Sequence, residues 1–506
     1  MAEKAETNVG ELRRRGFIKL TEKDMYSVWV KTTCCNLTSK QLMKLADITD
    51  KYARGYLLFT TRQNAVIPYV HSQDVDEVKE ELGQVYLDLD RCGPIVRNIN
   101  VCYEDKICPD AVTNSISLAE KLDNFFYDYA HLRNKTKLGV AGCKKDCITS
   151  RVLSDVGFVS DQRDGKTGYD AYVGGQLGSN PFVGIKMAEL LSEEECVKFA
   201  QNYFEFLKNE GKERERAANV IKRLGAERVK QELNKNLQEQ VTLKPIRCTT
   251  GLTKKETDKV TLRIRATCGE VTSKQLRKIA DIAQRYGHGF VYFAVRCSPE
   301  IPGIDNQHLE TIGNELREAD LQIIDKGIDN FVTCCFGADC TENIVEPRPL
   351  IRKIEKMTEE LGLNNLDIKI SAAGCPNACA IPHLSDIGLW GIVEPEVDVA
   401  NCTGCELCVP VCRMKAIVME DKIAVIDQEK CNYCSQCIAI CPFDAIIGKR
   451  KGYTLIIGGR EGGDIRLGEV IAEFLSEEEA LQIAEQRLMV LKEKEVNVAL
   501  LSMKWV

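Results

Sequence analysis

Two cysteine-rich runs late in the chain have a spacing that suits iron–sulfur chemistry. CTGCELCVPVC begins at Cys402 and CNYCSQCIAICP begins at Cys431, so each run has the form C-x2-C-x2-C-x3-C. Thiolates at this spacing wrap one cubane closely, and the fourth cysteine of each run reaches the other cluster. We therefore expect two [4Fe–4S] clusters here. The expected ligands are Cys402, Cys405, Cys408 and Cys441 for one cluster, and Cys431, Cys434, Cys437 and Cys412 for the other.

This pair of motifs is typical of two-cluster bacterial ferredoxins. It departs from the pattern at one position, because Arg413 rather than proline follows Cys412. The alternative is a pair of zinc sites, which usually combine two C-x2-C pairs across a longer gap. Two clusters in so short a module, residues 396–449, indicate electron transfer.

Outside this module, eight cysteines form two quartets with matching spacing. In each quartet, a C-x5-C pair is followed by a C-x3-C pair that comes directly after glycine. The quartets are Cys102, Cys108, Cys143 and Cys147 in the first half, and Cys334, Cys340, Cys375 and Cys379 in the second. The alternative is a set of reduced core cysteines, which are commonly buried. The other eight are interpreted as structural: Cys34, Cys35, Cys92, Cys196, Cys248, Cys268, Cys297 and Cys335.

The elements that position these cysteines are themselves repeated. TSKQLMKLADITDKYARGYLLF, from Thr38, returns as TSKQLRKIADIAQRYGHGFVYF, from Thr272. Thr38 with Gln41, and Thr272 with Gln275, have the spacing of a capping box that begins a helix. Apolar residues then recur at helical spacing, and a glycine and a β-rich segment follow. A helix–strand unit is therefore predicted twice.

The repeat also locates the cysteine module as an insertion. GYDAYVGGQLG, from Gly168, corresponds to GYTLIIGGREG, from Gly452, but the second copy is longer between Gly388 and Gly452. A highly charged stretch, residues 209–240, joins the copies and is interpreted as solvated helix. The expected domains are a first half, residues 1–245; a second half, residues 246–395 and 450–506; and the inserted module, residues 396–449.

Composition narrows the function classes. The 506 residues include 68 Lys+Arg and 75 Asp+Glu, a net charge of −7, which argues against nucleic-acid binding. No apolar run approaches the ~18 residues of a membrane span, and the first residues have no signal-like apolar core. With 24 cysteines but five histidines, thiol-based metal chemistry in a reducing cytoplasm is the expectation.

The two quartets, with AAGCPNACAIPHLSDIGLWG and GGREGG, resemble the sirohaem-dependent sulfite and nitrite reductases over about residues 17–490. The resemblance implies that a quartet ligates a [4Fe–4S] cluster and that its last cysteine also bridges to the sirohaem iron. Cys379 is the expected bridge in the second half, with Cys147 as its counterpart in the first. The inserted module is similar to that of the dissimilatory and anaerobic branches of the family.

The resemblance also implies an anion site built from two arginines and a basic pair. The matching residues are Arg62, Arg97, Lys135 and Lys137, each of which alone would more often be a solvated charge. In the second half Arg296 and Lys369 match Arg62 and Lys137, but Asp329 and Asp367 replace the other two cations. Acids there would repel an oxyanion. We therefore expect one working site, which combines the first-half cations with the second-half quartet. The first-half quartet is expected to hold one more cluster, and whether it carries a sirohaem is left open.

Sirohaem carboxylates need amide and guanidinium partners. Gly458, Gly459 and Arg460 are candidates by family position, and a simple glycine turn is the alternative. Arg296 is a further candidate cofactor contact.

The expected fold is α+β, with two pseudo-twofold-related halves of mixed sheet and packed helices plus the ferredoxin module. The expected function is six-electron reduction of sulfite to sulfide, with electrons delivered through the two ferredoxin-type clusters by a ferredoxin or a reductase subunit. The alternatives are ammonia-forming nitrite reduction and, in a different class, a non-catalytic electron-transfer or sirohaem-carrying subunit. A homo-oligomer is the default expectation.

Overall fold

The computed structural model describes residues 12–13, 15–91, 93–127, 132, 134–212, 215–242, 258–324, 331–334, 339–363 and 367–503. The chain divides into two compact units. The first unit comprises Met1–Asp325 and Glu461–Ile465, and the second comprises Lys326–Arg460 and Arg466–Val506.

The helices are α1 Ser39–Tyr52, α2 Val75–Gly83, α3 Ser115–Phe126, α4 Ser150–Leu153, α5 Glu193–Glu210, α6 Ala217–Leu224, α7 Ala226–Leu233, α8 Ser273–Tyr286, α9 Leu309–Arg317, α10 Pro347–Glu360, α11 Cys408–Val411, α12 Gln436–Ile440 and α13 Glu477–Met503. The strands are β1 Phe17–Lys19, β2 Met25–Lys31, β3 Asn36–Thr38, β4 Tyr56–Phe59, β5 Ala65–His71, β6 Asp88–Leu89, β7 Asn100–Val101, β8 Leu138–Ala141, β9 Val156–Arg163, β10 Lys166–Val173, β11 Ile185–Leu191, β12 Lys259–Arg263, β13 Glu270–Thr272, β14 Phe290–Phe293, β15 Pro299–Asp305, β16 Val332–Thr333, β17 Ile370–Ala373, β18 Ile387–Val397, β19 Ile417–Glu420, β20 Ile423–Ile426, β21 Ile446–Ile457 and β22 Glu469–Leu475.

The repeated helices begin where the sequence predicts. Thr38 accepts a hydrogen bond from the Gln41 backbone N–H while the Gln41 side chain accepts one from the Thr38 N–H, and Thr272 and Gln275 form the same box. These reciprocal bonds satisfy backbone groups that the first helical turn leaves without partners. The predicted capping boxes at the start of α1 and α8 are confirmed.

In the first unit, the two copies of the helix–strand unit exchange a strand. One sheet has the order β1-β2-β5-β4-β13, with β6 paired to β2, and the other has the order β12-β15-β14-β3. Strand β13 therefore pairs with β4 of the first copy, and β3 pairs with β14 of the second. Phe59 and Phe293 stack at the centre of this exchange, with ring centroids 4.2 Å apart. The exchange makes one body from two segments that are far apart in sequence.

A third sheet of the first unit has the order β11-β10-β9-β8-β7. Cysteines of the first-half quartet follow the ends of two of its strands, Cys102 after β7 and Cys143 after β8. Strands β7, β8 and β9 run parallel, and β9, β10 and β11 are antiparallel neighbours. Helices α6 and α7 bury Val220, Ile221, Val229 and Leu233 in the core of this domain. The charged connecting stretch is therefore not a purely solvated helix, because each of its two short helices has one apolar face packed against the core.

The second unit repeats this arrangement with the sheet β16-β17-β18-β21-β22. Strands β18 and β21 pair from Ile387↔Ile457 to Val397↔Ile446, and the inserted module continues from the far end of this pair. The module contains the β19–β20 hairpin and the two short helices α11 and α12. Its small apolar core includes cysteine side chains, among them Cys408 and Cys437. The observed architecture is α+β with two repeated halves, as predicted.

Among the described helices, none combines the length and the apolar character needed to cross a membrane.

Candidate functional site

The two predicted lysines and Arg97 lie on neighbouring extended segments of the first unit. The Arg97 backbone N–H donates to the Thr136 carbonyl at 3.0 Å, and Thr136 lies between Lys135 and Lys137. Arg97 is buried, Lys137 is half-buried and Lys135 is exposed. The structure therefore brings these three predicted cations together.

Arg62 joins the same cluster through Asn98. The Asn98 side-chain amide donates to the Arg62 carbonyl at 3.0 Å, and an Arg62 guanidinium nitrogen lies 3.7 Å from an Asp90 carboxylate oxygen. The guanidinium also lies 3.8 Å from the centroid of the Trp29 ring. One acid and one aromatic face thus fix this arginine, so it can present charge with little loss of side-chain entropy.

Lys137 has an unusual proton affinity. Its pKa is lowered to about 7, mainly by burial and also by the positive charges of Lys135, Arg216 and Arg62, against the opposing effect of Asp155. A lysine with a pKa near neutrality can hold an anion as ammonium and also give up a proton. This group of cations is therefore suited to binding an oxyanion and protonating it.

Arg216 was not identified by the sequence analysis. Its Nε donates to Asp155 Oδ1 at 2.9 Å, and Asp155 Oδ2 accepts the Lys137 backbone N–H at 2.9 Å. Asp155 thus ties Arg216 to the strand that carries Lys137. Arg216 lies in the charged connecting stretch, where many similar residues give no local signal that this one is half-buried.

The first-half quartet converges in the folded chain. The Gly142 backbone N–H donates to Cys102 Sγ at 2.9 Å. The pKa of Cys102 is raised to about 12, mainly by burial, with contributions from the nearby thiols of Cys147 and Cys143. Cys143 in turn has its pKa raised by burial and by the charge of Cys108. The four thiols therefore lie within electrostatic reach of one another.

The second-half quartet is built in the same way. The Gly374 backbone N–H donates to Cys334 Sγ at 3.3 Å. The pKa of Cys334 is raised to about 12, mainly by burial, with contributions from the charges of Cys379 and Cys340. Burial likewise raises the pKa of Cys375, with contributions from the other three thiols. N–H donation to sulfur and mutual proximity fit a thiolate-ligated cluster in both halves.

The last cysteine of each quartet differs from the others. Cys147 and Cys379 are exposed, while Cys143 and Cys375 are buried. A cysteine that also bridges to a haem iron needs an accessible sulfur. The exposure of Cys147 and Cys379 fits the bridging role that the resemblance implies.

In the first unit, Glu461 lies beside the first-half quartet. The pKa of Cys147 is raised to about 11, mainly because the surrounding protein desolvates the thiolate, and the charges of Cys143 and Glu461 contribute. Glu461 Oε1 also lies 3.3 Å from Nε of Arg296, which is 2% exposed. The cation that matches Arg62 in the repeat is therefore paired with an acid. This ion pair is shorter than the 3.7 Å contact between Arg62 and Asp90, so it leaves less of the Arg296 charge for an anionic substrate at the first-half quartet.

A second cation of the second half, Lys369, is also paired with an acid. Lys369 Nζ lies 3.5 Å from Asp367 Oδ1, the acid that replaces the first lysine of the basic pair. Asp329, predicted to replace the second arginine, lies outside the described residues, as do Cys92, Cys248 and Cys335. Of the other cysteines interpreted as structural, five are buried: Cys34, Cys35, Cys196, Cys268 and Cys297.

In the inserted module, one cysteine group lines a cavity. This outer group, as it is named from here, consists of Cys402, Cys405, Cys408 and Cys441. The cavity is partly open to solvent and is otherwise lined mainly by apolar side chains, among them Met419 and Ile446. Burial raises the pKa of Cys408, and the thiols of the other three members add to it. Four convergent thiols around an apolar cavity fit a cubane cluster.

The remaining cysteines of the module form the inner group, Cys412, Cys431, Cys434 and Cys437. Backbone N–H groups of Ala416 and Tyr433 donate to Cys412 Sγ and Cys431 Sγ at 3.2 and 3.4 Å. Burial raises the pKa of Cys431, and Cys434 and Cys412 add to the rise. The structure thus groups the fourth cysteine of each run with the other run, in agreement with the predicted exchange. Within the described residues, no three Cys, His, Asp or Glu side chains meet closely enough to hold a single metal ion.

The backbone N–H groups of the two predicted glycines, Gly458 and Gly459, are engaged in hydrogen bonds within the protein. The N–H groups of Gly458 and Gly459 donate to the carbonyls of Asp386 and Ser385 at 3.2 and 2.9 Å. A Cβ on Gly459 would lie 2.4 Å from the His383 carbonyl oxygen. The close approach of the His383 carbonyl accounts for glycine at position 459, and the contact of both glycines with a cofactor carboxylate stays a prediction. The exposed Arg460 side chain remains a predicted contact for a cofactor carboxylate.

Two family models each match two segments of the chain. The family model described as "Nitrite and sulphite reductase 4Fe-4S domain" matches residues 92–241 and 325–497. The model described as "Nitrite/Sulfite reductase ferredoxin-like half domain" matches residues 18–85 and 253–319, the two copies that exchange a strand.

Among similar proteins, a coenzyme F420-dependent sulfite reductase of Methanocaldococcus jannaschii is 33% identical over 243 residues, which cover 47% of this chain and 39% of that protein. The chain thus matches well under half the length of this curated relative. A chloroplastic ferredoxin–nitrite reductase of Spinacia oleracea is 24% identical over 411 residues, 73% of this chain and 67% of that protein. The solved structure of the Mycobacterium tuberculosis NirA protein has a TM-score of 0.71 at 18% identity, covering 95% of this chain and 86% of that one. Because each domain model matches twice and the matches together span most of the sequence, the chain belongs to the nitrite and sulphite reductase family.

Proposed function

We propose that the protein reduces sulfite to sulfide by six electrons, at a sirohaem coupled through Cys379 to a [4Fe–4S] cluster of the second-half quartet. The sirohaem would bind the anion and accept the electrons. The cations Arg62, Arg97, Lys135 and Lys137 would hold the anion's oxygens. As in the sequence-based assignment, they serve the sirohaem of the second-half quartet.

The observation that carries the proposal is the cation cluster around Lys137. Each oxygen lost from sulfite leaves as water, so the reaction consumes protons as well as electrons. A half-buried lysine with a pKa of about 7 can supply protons at neutral pH, and its cationic neighbours keep the anion bound meanwhile. An electron-transfer subunit without turnover would need no such cluster.

Nitrite reduction to ammonia is the second candidate, because named relatives include both sulfite and nitrite reductases. Lys137 favours sulfite, since nitrite-reducing proteins that resemble this one tend to have asparagine at the second basic position. The inserted cysteine groups favour a one-electron donor, such as a ferredoxin or a separate reductase subunit.

The test is anaerobic turnover of the purified protein with reduced viologen, with sulfite and nitrite supplied separately and both sulfide and ammonia measured. We expect sulfide formation with the higher kcat/KM for sulfite. A protein that contains sirohaem and iron but forms neither product would be a carrier or electron-transfer subunit. A higher kcat/KM for nitrite would identify a nitrite reductase.

A further inference from the structure

The inserted module is bonded to the second-half quartet through Arg413. Arg413 directly follows Cys412, and its Nη1 donates to Asn377 Oδ1 at 3.2 Å. Asn377 lies between Cys375 and Cys379 in the quartet's C-x3-C pair. A side chain next to an inner-group cysteine therefore contacts the segment that carries the expected bridging cysteine.

A second side chain makes a parallel contact. Gln436 lies between Cys434 and Cys437 of the inner group, and its Nε2 donates to Glu342 Oε2 at 2.6 Å. Glu342 is two residues beyond Cys340 of the quartet. Both loops of the second-half quartet are thus bonded to residues beside inner-group cysteines.

The two halves of the internal repeat differ in the bonding partners of these two positions. In the first half, Lys145 and Asp110 correspond to Asn377 and Glu342, and they form an ion pair of 2.6 Å with each other. In the half without an inserted module, the two loops of the quartet are therefore bonded to each other. In the second half, Asn377 cannot form that ion pair, and the two side chains turn to Arg413 and Gln436.

Arg413 also brings positive charge to the inner group. It directly follows Cys412, and its hydrogen bond to Asn377 at 3.2 Å holds the guanidinium beside the C-x3-C pair of the second-half quartet. A cation next to a cluster ligand stabilises the more negative, reduced state of a thiolate-ligated cluster. This arginine occupies the position at which the ferredoxin pattern has proline.

We propose that Arg413 and Gln436 are positioning residues that fix the inner group as the immediate electron donor to the second-half quartet, and that Arg413 raises the inner group's reduction potential. This inference rests on the proposed function. The outer group is then the entry point for single electrons from a low-potential one-electron carrier. Leu407 and Phe443, which line the outer-group cavity, are 46% and 47% exposed and leave its rim open to such a carrier. One electron is lost by the carrier and one is gained at the quartet, and no covalent bond changes.

The test compares R413Q with R413K and with K449Q in the full-length protein loaded with clusters. Lys449 is an exposed cation of the same module, paired with Glu396 at 2.9 Å and remote from the cysteines in its charge interactions. The primary measurement is an EPR-monitored redox titration of each cluster, with iron content as the check on loading.

We expect R413Q to make the inner-group potential more negative while the outer-group potential stays unchanged. R413K should restore most of the shift, and K449Q should leave both potentials at the wild-type value. With reduced ferredoxin as donor, sulfite turnover of R413Q should fall several-fold. An unchanged inner-group potential in R413Q, or an equal shift in K449Q, would overturn the charge assignment.

A second measurement concerns position. In the fully reduced protein, the EPR signals of neighbouring clusters are broadened by their magnetic interaction. Replacing both contacts, in the double variant R413Q and Q436L, should weaken the interaction between the inner-group and quartet signals but not that between inner and outer signals. If the outer group proves to be the one that interacts with the quartet, the proposed order is wrong. These spectra do not require turnover, so they decide the inference even if neither sulfite nor nitrite is reduced.

Discussion

The proton affinity of Lys137 gives a prediction that can be followed through the pH dependence of turnover. With a pKa of about 7, Lys137 is an ammonium below neutrality and is largely neutral above it. If the ammonium is needed to bind and protonate the anion, kcat/KM has its maximum value at low pH and falls as the pH rises through about 7. The perturbation that probes this is Arg216→Gln, which alters the field around Lys137 without touching Lys137 itself.

Two effects of the substitution act in the same direction. Removing the Arg216 charge relieves a repulsion on the Lys137 ammonium, and it also leaves the Asp155 carboxylate without the partner that held it at 2.8 Å. Both changes favour protonated Lys137, so its pKa should rise. A nearby charge commonly moves a partly buried group by about one unit, or ~1.4 kcal/mol. For a move from about 7 to about 8, the protonated fraction at pH 8 would increase about fivefold.

The assay is kcat/KM from pH 5.5 to 9 with reduced methyl viologen. Nitrite serves as the substrate here, because it stays a single anion over this range whereas sulfite itself gains a proton. We expect the falling limb of Arg216→Gln to lie about one pH unit above that of the wild type. Arg216→Lys keeps the charge and should resemble the wild type.

Arg223→Gln is the matched control, since Arg223 pairs with Glu215 at 2.7 Å in the same stretch and is not among the charges that act on Lys137. The reasoning is refuted if Arg216→Gln retains the wild-type limb, or if Arg223→Gln moves it equally. A limb that persists in Lys137→Gln would show that another group supplies the proton.

Three further predictions follow from individual contacts. Arg97→Ala should lower kcat/KM for sulfite ten- to a hundredfold, the ~1.5–3 kcal/mol of one charge-assisted anion contact, whereas Lys369→Ala, at a cation already paired with Asp367, should change it little. Gly459→Ala would press a Cβ against the His383 carbonyl and should cost about 1–3 kcal/mol in the free energy of unfolding, measured by denaturant titration, while Gly83→Ala, which has open space around it, should have almost no effect. Iron and acid-labile sulfide in anaerobically purified protein should account for at least three cubanes, and Cys143→Ser should remove about four iron atoms while the ferredoxin-type EPR signals persist; no loss of iron would show that the first-half quartet holds no cluster.

The features that the sequence predicts correctly are those that depend on short spacing. A capping box needs a threonine and a glutamine three residues apart, so the starts of α1 and α8 follow from Thr38 and Thr272 alone. The cysteine runs are equally local, and the structure places the fourth cysteine of each run near cysteines of the other run, while their role as cluster ligands stays a prediction. The repeat then relates the two halves without any knowledge of the fold.

The strand exchange has no such local signal. Strand β3 has only three residues, and its sequence does not indicate whether it pairs within its own copy or with β14 of the other. Pairing partners of a short strand are decided by which backbone edges remain available once the larger elements have packed. The interpretation of residues 209–240 as solvated failed for a related reason, because a charged stretch hides which few of its side chains face the core.

The sequence by itself determined the family resemblance, and it predicted the cysteine groups and the set of cations, because these depend on residue type and on spacing along the chain. Only the tertiary structure decided the pKa values, the ion pairs and the hydrogen bonds of those groups. The lowered pKa of Lys137 comes mainly from its burial, with a contribution from Arg216 at the start of α6, and the ion pair of Arg296 needs Glu461 from beyond the insertion. The bond between Arg413 and Asn377 likewise joins two separate loops. Electrostatic effects of this kind depend on distance in space and on burial, neither of which is encoded in any local stretch of the chain.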